Sequence, residues 1–490
     1  QKNARVGKTN GVASGVVSFL TLIDASVETI KQGSKRRGAA MGVLNWNHPD
    51  IIDFITCKTV EGKIRNFNLS VLVDEEFFKN AKNGAWDKVI CETIEDDGSH
   101  KQIKFGQIWN GIVDGAWRNG EPALMYKDNI NKNNKLIRLG EIIASNPCSE
   151  QFLLPYESCN LFALNLNAYV KEGKFNWDAF KKDIETSVLF LNRVLDKNAF
   201  PIPEIEKASK YTRKIGLGLM GVHDAMLLQR ICYDSPEGLE FADKVYRFMQ
   251  DVAEQYSSYL AMKEGNFPAI DKSEWKQNMR NGCLTTQQPT GSVSILAGNV
   301  SSGIEPVFNW VYMRKNTVGK EFLIVHPIFD KDLRAMCDGD NELYNDIVNQ
   351  IFKDGTLQNI DCLPENVKRL YRCALDIGYE DHLKMLAVAQ KNVDSGVSKT
   401  INLPFNCTKE DVARIYVEAH DMGCKGVALY RTGSRNEVVL SHGGTDKNGF
   451  IEFVKDGQLW KRCPECGHEF QADSGGCMTC GECGYTHCSN

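Results

Sequence analysis

The amino-acid sequence predicts an α/β protein with a small metal-stapled module at its C-terminal end. Three observations point there. Near the start, glycine-punctuated loops alternate with apolar segments in the order loop, helix, basic loop, strand, as in a parallel α/β layer. Further on, apolar residues recur at every second position over Asn66–Val71 and at helical spacing from Trp177 to Leu195. Close to the end, Cys463-Pro464-Glu465-Cys466-Gly467 and Cys480-Gly481-Glu482-Cys483-Gly484 form two C-x-x-C-G knuckles.

Composition bounds the rest. At 490 residues the chain holds one large domain with an appendage, or three ordinary ones. Apolar content of 42% and charged content of 25% are those of a soluble globular protein. A net charge of −5 argues against a general nucleic-acid binder or an anionic-membrane binder. The apolar stretch Gly11–Ile23 is too short to span a bilayer, and no signal peptide precedes it. Of 17 cysteines, six lie between Cys463 and Cys488 and the others are scattered, which suits a reducing cytoplasm with a local metal site. The chain begins at Gln1 and enters structure at once, so it reads as the downstream part of a longer protein.

In chain order, Gly11–Gly15 is a glycine-flanked loop, Val16–Ile23 an apolar segment, and Asp24–Gln32 a helix with Ala25, Val27 and Ile30 on its apolar side. The basic loop Gly33-Ser34-Lys35-Arg36-Arg37-Gly38 reads as solvated surface, with glycines that would let a phosphate approach. His48 reads as a cap or packing residue, since no second ligand sits at metal spacing. Lys214–Gly221 superficially resembles a dinucleotide loop, but no strand precedes it and no acidic partner follows, so close helix packing is expected. Pro236–Lys263 is a long amphipathic helix. Pro289-Thr290-Gly291-Ser292 follows a β-prone run and is by chemistry either an anion site or a Ser/Thr-capped turn. Thr408, Asp411 and Gly423 bracket another helix.

The densest chemistry lies at Asn146-Pro147-Cys148-Ser149-Glu150, with Cys159 soon after. Pro147 biases Asn146 toward extended backbone, and in an extended loop Asn146, Cys148 and Glu150 would point to one side. A thiol can supply a hydrogen atom or a nucleophile, an amide can hold a hydroxyl, and a carboxylate can take a proton. The blander reading is a small buried cysteine beside an Asn-Pro turn.

N-P-C-x-E followed by LLPYESCNL resembles the active-site loop of ribonucleotide reductases, most closely their adenosylcobalamin-dependent (class II) branch. Four more stretches resemble that family in the same order: TNGVASG with GSKRRGAAMGVL, NFNLS, KIGLGLMG and PTGSVS, followed by DSGVSKTINLP and GCKGVALYRTGSR. Ser301–Pro306 also matches a family motif, with no role assigned to it. The resemblance implies a ten-stranded α/β barrel over residues 1–435, partial because its first strand would precede Gln1. A linker and hairpin over 436–460 and a zinc-ribbon tail over 461–490 would follow.

By the same resemblance Cys148 carries a thiyl radical, Glu150 deprotonates the substrate 3′-hydroxyl, Asn146 binds the ribose, and Cys159 is one member of the reducing pair. Pro289, Thr290, Gly291, Ser292 and Ser294 would bind the substrate phosphate. Gly11, Ser14, Gly15, Lys35, Arg36, Arg37 and Gly38 would belong to loops linking a dNTP effector to substrate choice. Cys463, Cys466, Cys480 and Cys483 would bind structural Zn²⁺, by spacing, with paired disulfides as the alternative. Cys477 and Cys488 would relay electrons from a thioredoxin-like reductant. The implied partners are a ribonucleotide, expected to be a diphosphate, and a second copy in a homodimer. Only one tyrosine stands at Tyr430-Arg431, where subunit-activated (class I) reductases carry a pair. Gly484-Tyr485 sits in a knuckle rather than in a glycyl-radical tail. Both features point to cobalamin. The rival readings are a class I large subunit needing a radical partner and a non-catalytic remnant.

Overall fold

The computed structural model describes residues 1–7, 11–30, 38–59, 62–315, 321–434, 440–441, 451–455, 458–471, 480 and 482–483. Its centre is built from seven strands: β1 (Ala40–Asn45), β2 (Phe67–Val73), β3 (Ala123–Tyr126), β4 (Asn160–Asn165), β5 (Ile215–Met220), β6 (Thr400–Leu403) and β7 (Gly426–Arg431). Five form one sheet in the order β1-β2-β3-β7-β6. Pairing is parallel within β1-β2-β3 and within β6-β7, and the two groups meet antiparallel at β3 and β7. β4 and β5 pair in parallel, with Asn160 opposite Ile215.

Extended segments join these two sheets. The carbonyls of Cys283 and Leu284 accept from the N–H groups of Ile215 and Leu217 on β5, and Gln287 exchanges hydrogen bonds with Gly396 and Ser398 just before β6. The result is a continuous arc, β1, β2, β3, β7, β6, the 283–287 segment, β5, β4. Among the described residues no ladder joins β1 to β4, so the arc is open on that side.

Helices cover the outer face: α1 (Val16–Thr29), α2 (Phe105–Asn119), α3 (Trp177–Lys197), α4 (Val222–Leu228), α5 (Pro236–Glu264), α6 (Tyr379–Lys391) and α7 (Lys409–Asp421). α3 buries Phe180, Ile184, Val188, Leu191 and Leu195, the predicted stripe, against α5. α5 starts at a Ser235 cap with Pro236 in its first turn, and α7 at a Thr408–Asp411 capping box. A second apolar cluster lies in the 307–373 region, which the sequence left without a motif. There Trp310 packs edge-on to Tyr371, and helices Pro327–Cys337 and Asn341–Asp354 cover a hairpin of Val311–Lys315 and Glu321–Val325.

Several expectations shift. The apolar segment 16–23 is not separate from the helix after it: α1 begins at Val16 and ends at Thr29. Asp50 caps it, accepting from Val16 N at 3.2 Å, while Phe19 and Leu22 stand more than 60% exposed. The glycine-rich segment Lys214–Gly221 is not a helix-packing loop but contains β5, buried at every position. A strand buried on both faces shows no alternation, which hid it in the sequence. Its glycines still serve close approach, since a Cβ on Gly218 would strike Gln288 Oε1 and the Thr286 carbonyl. His48 accepts from the Asp50 N–H at 3.0 Å, a local cap as expected. Lys35, Arg36, Arg37, Cys477 and Cys488 lie outside the described residues.

Candidate active site

The stretch 145–152 crosses the inside of the arc, held from both sides. From β2, Asn68 Nδ2 donates to the Pro147 carbonyl at 2.8 Å. From the opposite segments, Thr286 Oγ1 donates to Glu150 O at 2.6 Å, Gly396 N to the same carbonyl at 2.8 Å, and Ser395 Oγ accepts from Phe152 N at 3.0 Å. Within the stretch, Ser145 and Phe152 form an antiparallel bridge, Asn146 N donates to Gln151 O, and Ser149 N to Asn146 O. Downstream, Lys214 Nζ reaches Glu157 Oε2 at 2.6 Å, both side chains being under 5% exposed. Breaking such a buried pair by removing one partner costs about 3–5 kcal/mol, so this pair is a firm staple for residues 152–159.

The three candidate side chains do not simply alternate. Ser149 takes a left-handed φ of 59° and the backbone turns at Pro147–Ser149, which breaks the extended alternation the sequence suggested. Cys148 is therefore exposed at the tip, in the wall of a cavity of about 600 Å³ shared with Pro289, Ser294, Ser302, Glu305 and Tyr430. Glu150 is buried under the turn, with Oε2 lacking a hydrogen-bond partner. Burial raises its pKa, partly offset by the Asn146 side chain. Asn146 is half-buried, its Oδ1 accepting from Glu150 N at 3.1 Å and Gln151 N at 2.9 Å, which leaves Nδ2 as its side-chain donor on the Glu150 side.

Cys159 is half-buried at the start of β4, and burial pushes its thiol well above the ordinary value. The Cys283 thiol is its strongest-acting ionisable neighbour and also raises it.

The Pro289–Ser294 loop leads into a short helix, Gly291–Leu296. Thr290 sits at φ 57°, unusual for a β-branched residue, and its Oγ1 accepts from Gly303 N at 2.8 Å. Gly291 and Ser292 are exposed; Ser294 is buried, its Oγ 3.1 Å from that of Ser302. Also at the cavity, Lys399 Nζ meets Glu305 Oε2 at 2.7 Å, and burial lowers the Lys399 pKa. At the other end of the chain's sequence motifs, Gly11, Ser14 and Gly15 lie before α1, and a Cβ on Gly38 would strike Val27 of the same helix. The candidate effector residues that are described thus meet on α1.

The Sγ atoms of Cys463, Cys466, Cys480 and Cys483 all lie within 4.8 Å of one another. Cys463 follows a hairpin, Ile451–Lys455 with Gln458–Arg462, that docks by Val454 on helix Asn341–Asp354. Local amide hydrogen bonds, chiefly to Cys483 and Glu482, and the neighbouring thiols pull the Cys480 pKa down to about 6, toward the thiolate a metal needs.

Sequence reasoning missed Asn68, Thr286 and Gly396 as supports of the central turn. Asn68 and Gly396 lay inside quoted motifs, and Thr286 in the β-prone run before Pro289, but only the fold reveals which backbone they hold.

A family model described as "Ribonucleotide reductase, barrel domain" matches residues 1–279 and 275–430. The chain is 43% identical over 447 residues to a vitamin B12-dependent ribonucleoside-diphosphate reductase of Thermoplasma acidophilum, covering 90% of this chain and 57% of that protein. A protein of the same description from Mycobacterium tuberculosis is 37% identical over 453 residues, covering 89% and 61%. The chain thus spans less than two thirds of these relatives' length. The class Id ribonucleotide reductase alpha subunit of Actinobacillus ureae shares the fold, with a TM-score of 0.71 at 22% identity over 86% of this chain and 75% of that one. With the family model matching nearly all of residues 1–430, the chain belongs to the ribonucleotide reductase barrel-domain family.

Proposed function

We propose that this chain is the catalytic body of an adenosylcobalamin-dependent reductase that converts ribonucleotides, as diphosphates, to 2′-deoxyribonucleotides in the cytoplasm. The observation that carries the reading is the placement of Cys148, exposed at the tip of a turn in the wall of a nucleotide-sized cavity, with the Glu150 carboxyl buried beneath it. Cys148 would take a hydrogen atom from the ribose C3′, Glu150 would accept the 3′-hydroxyl proton, and Asn146 Nδ2 would hold a ribose hydroxyl. Loss of the 2′-hydroxyl as water needs two electrons and two protons, which a dithiol supplies on becoming a disulfide; Cys159 would be one thiol of that pair.

Adenosylcobalamin, when bound, supplies the radical. The residues suit direct access to Cys148 from the cavity, where Tyr430 also lies. In place of a second tyrosine after Tyr430 stands Arg431, which donates to the Trp117 and Phe405 carbonyls, and this supports cobalamin over a two-tyrosine relay. A ten-stranded barrel, with its first strand preceding Gln1, would close the gap between β1 and β4. Exposed Phe19, Leu22 and Ile23 on α1 support a homodimer, with a dNTP effector bound near the Gly11–Gly15 and Lys35–Gly38 loops. Cys477 and Cys488 would pass electrons from a thioredoxin-like protein.

The test is the full-length protein with CDP, dithiothreitol and adenosylcobalamin, and no other subunit. Formation of dCDP that depends on the cofactor is expected. Turnover only with a metal-containing partner subunit would move the assignment to class I, and silence under both conditions would favour a remnant. The four clustered thiols are proposed to hold one Zn²⁺ in a ribbon. One zinc per chain by elemental analysis is expected, falling below half in a Cys463→Ser, Cys466→Ser double variant; an unchanged zinc content would sink the site.

A further inference from the structure

The Ser301–Pro306 segment, a motif without an assigned role, lies directly against the candidate phosphate loop in the cavity wall. Gly303 N donates to Thr290 Oγ1, and Ser302 Oγ meets Ser294 Oγ. The fit is close: a Cβ on Gly303 would come within 2.8 Å of both Gln287 Nε2 and the Gln288 carbonyl. Ser294, Ser301 and Ser302 all line the same cavity. The two loops therefore behave as one jaw, and whatever fixes one fixes the other.

What fixes Ser301 is Asp224 in the first turn of α4. Asp224 is 1% exposed. Its Oδ1 accepts from Ser301 N at 3.2 Å, its own N–H donates to Ser301 Oγ at 3.3 Å, and Gly221 N donates to Ser301 O at 2.8 Å. The segment is thus gripped at its amide, hydroxyl and carbonyl. The carboxylate is kept charged from behind. Burial opposes the charge, yet His326 Nε2 at 3.3 Å, Asn167 Nδ2 at 3.0 Å and nearby His223 hold its pKa below the usual carboxylate value. A buried carboxylate with this many partners is costly to maintain unless its position matters.

We propose that Asp224 is a positioning residue for substrate binding, setting Ser301–Gly303 and, through them, Thr290 and Ser294 where a nucleoside diphosphate presents its phosphates. It does not touch the substrate. The inference rests on the reductase reading above, and wild-type turnover with adenosylcobalamin separates the two: without it the reading falls and this proposal with it.

The experiment measures KM and kcat for CDP in the full-length holoenzyme, with inorganic pyrophosphate as a competitor. Asp224→Ala, which leaves Ser301 N without its acceptor, is expected to raise KM and the pyrophosphate inhibition constant together by about tenfold, with kcat within about threefold. Asp224→Asn keeps a carbonyl for Ser301 N once the Asn167 amide turns over, and should bring both constants back to within about twofold of wild type. Unchanged KM in Asp224→Ala, a fall in kcat with KM standing, no rescue by asparagine, or no competition by pyrophosphate in the wild type would each overturn the proposal. Should Asp224→Ala yield no folded protein, Ser302→Ala tests the same relay from the far side: KM and the inhibition constant rise together, or the proposal fails.

Discussion

Replacing Cys148 with serine is expected to abolish turnover while leaving the fold and nucleotide affinity intact. The side chain stands exposed at the tip of the turn, outside the apolar clusters, and serine has nearly the same shape. The cost to stability should lie within about 0.5 kcal/mol, the ordinary range for surface substitutions. The chemistry is another matter. An S–H bond is weak enough to give and retake a hydrogen atom, and an O–H bond is not. A fall in kcat of at least about 10³-fold is expected, or roughly 4 kcal/mol of lost transition-state stabilisation. Calorimetry should show CDP binding unchanged. Residual turnover above about a hundredth of wild type would mean that another thiol carries the radical.

Much of this site was legible because its chemistry is local. Asn146, Cys148, Glu150 and Cys159 fall within one short stretch, and the Pro147 turn and the downstream Glu157 lie in the same stretch. The four zinc-ligand candidates were legible for the same reason, since two tight knuckles announce themselves by spacing. What was not legible arrives from far along the chain. Thr286 holds Glu150 from 136 residues away, and Ser395 holds Phe152 from 243. No periodicity records such pairings. The direction of side chains in the turn was also misread, because Ser149 takes a left-handed φ inside a tight local turn, closed by Ser149 N to Asn146 O and by the Asn146 Oδ1 bonds to Glu150 N and Gln151 N, which Pro147 alone does not announce. β5 was missed for a different reason: buried on both faces and rich in glycine, it lacks the alternation that identified β2. The start of α1 was missed because its apolar residues face outward, as a docking face would and a core helix would not.

A glycine far from the turn in sequence should therefore govern the turn's chemistry. Gly396 N donates to Glu150 O, and a Cβ at Gly396 would strike the Ser149 carbonyl, come within 2.6 Å of Phe152 Cε2 and within 3.1 Å of Glu150 Cα. Two of these three are backbone atoms of the central turn, so a rotamer change cannot absorb the methyl. Either the turn or the 395–398 segment must move. Overpacking of this kind costs about 1–3 kcal/mol, which a chain with cores this large survives. Activity has less tolerance, because a displacement of about 1 Å between Cys148 and the substrate ribose can cost about 10²-fold. Gly396→Ala is expected to keep its circular dichroism spectrum, lose a few degrees in Tm, and fall about 100-fold in kcat. Gly111→Ala in α2 is the matched control: its Cβ would meet Ile55 Cγ2 at an ordinary 3.4 Å, and helix propensity gains about 1 kcal/mol. That variant should be as active as wild type and no less stable. If Gly396→Ala also kept full activity, the turn that carries Cys148 would be set by Thr286, Asn68 and the Lys214–Glu157 pair alone, and the close approach at Gly396 would be packing without a catalytic consequence.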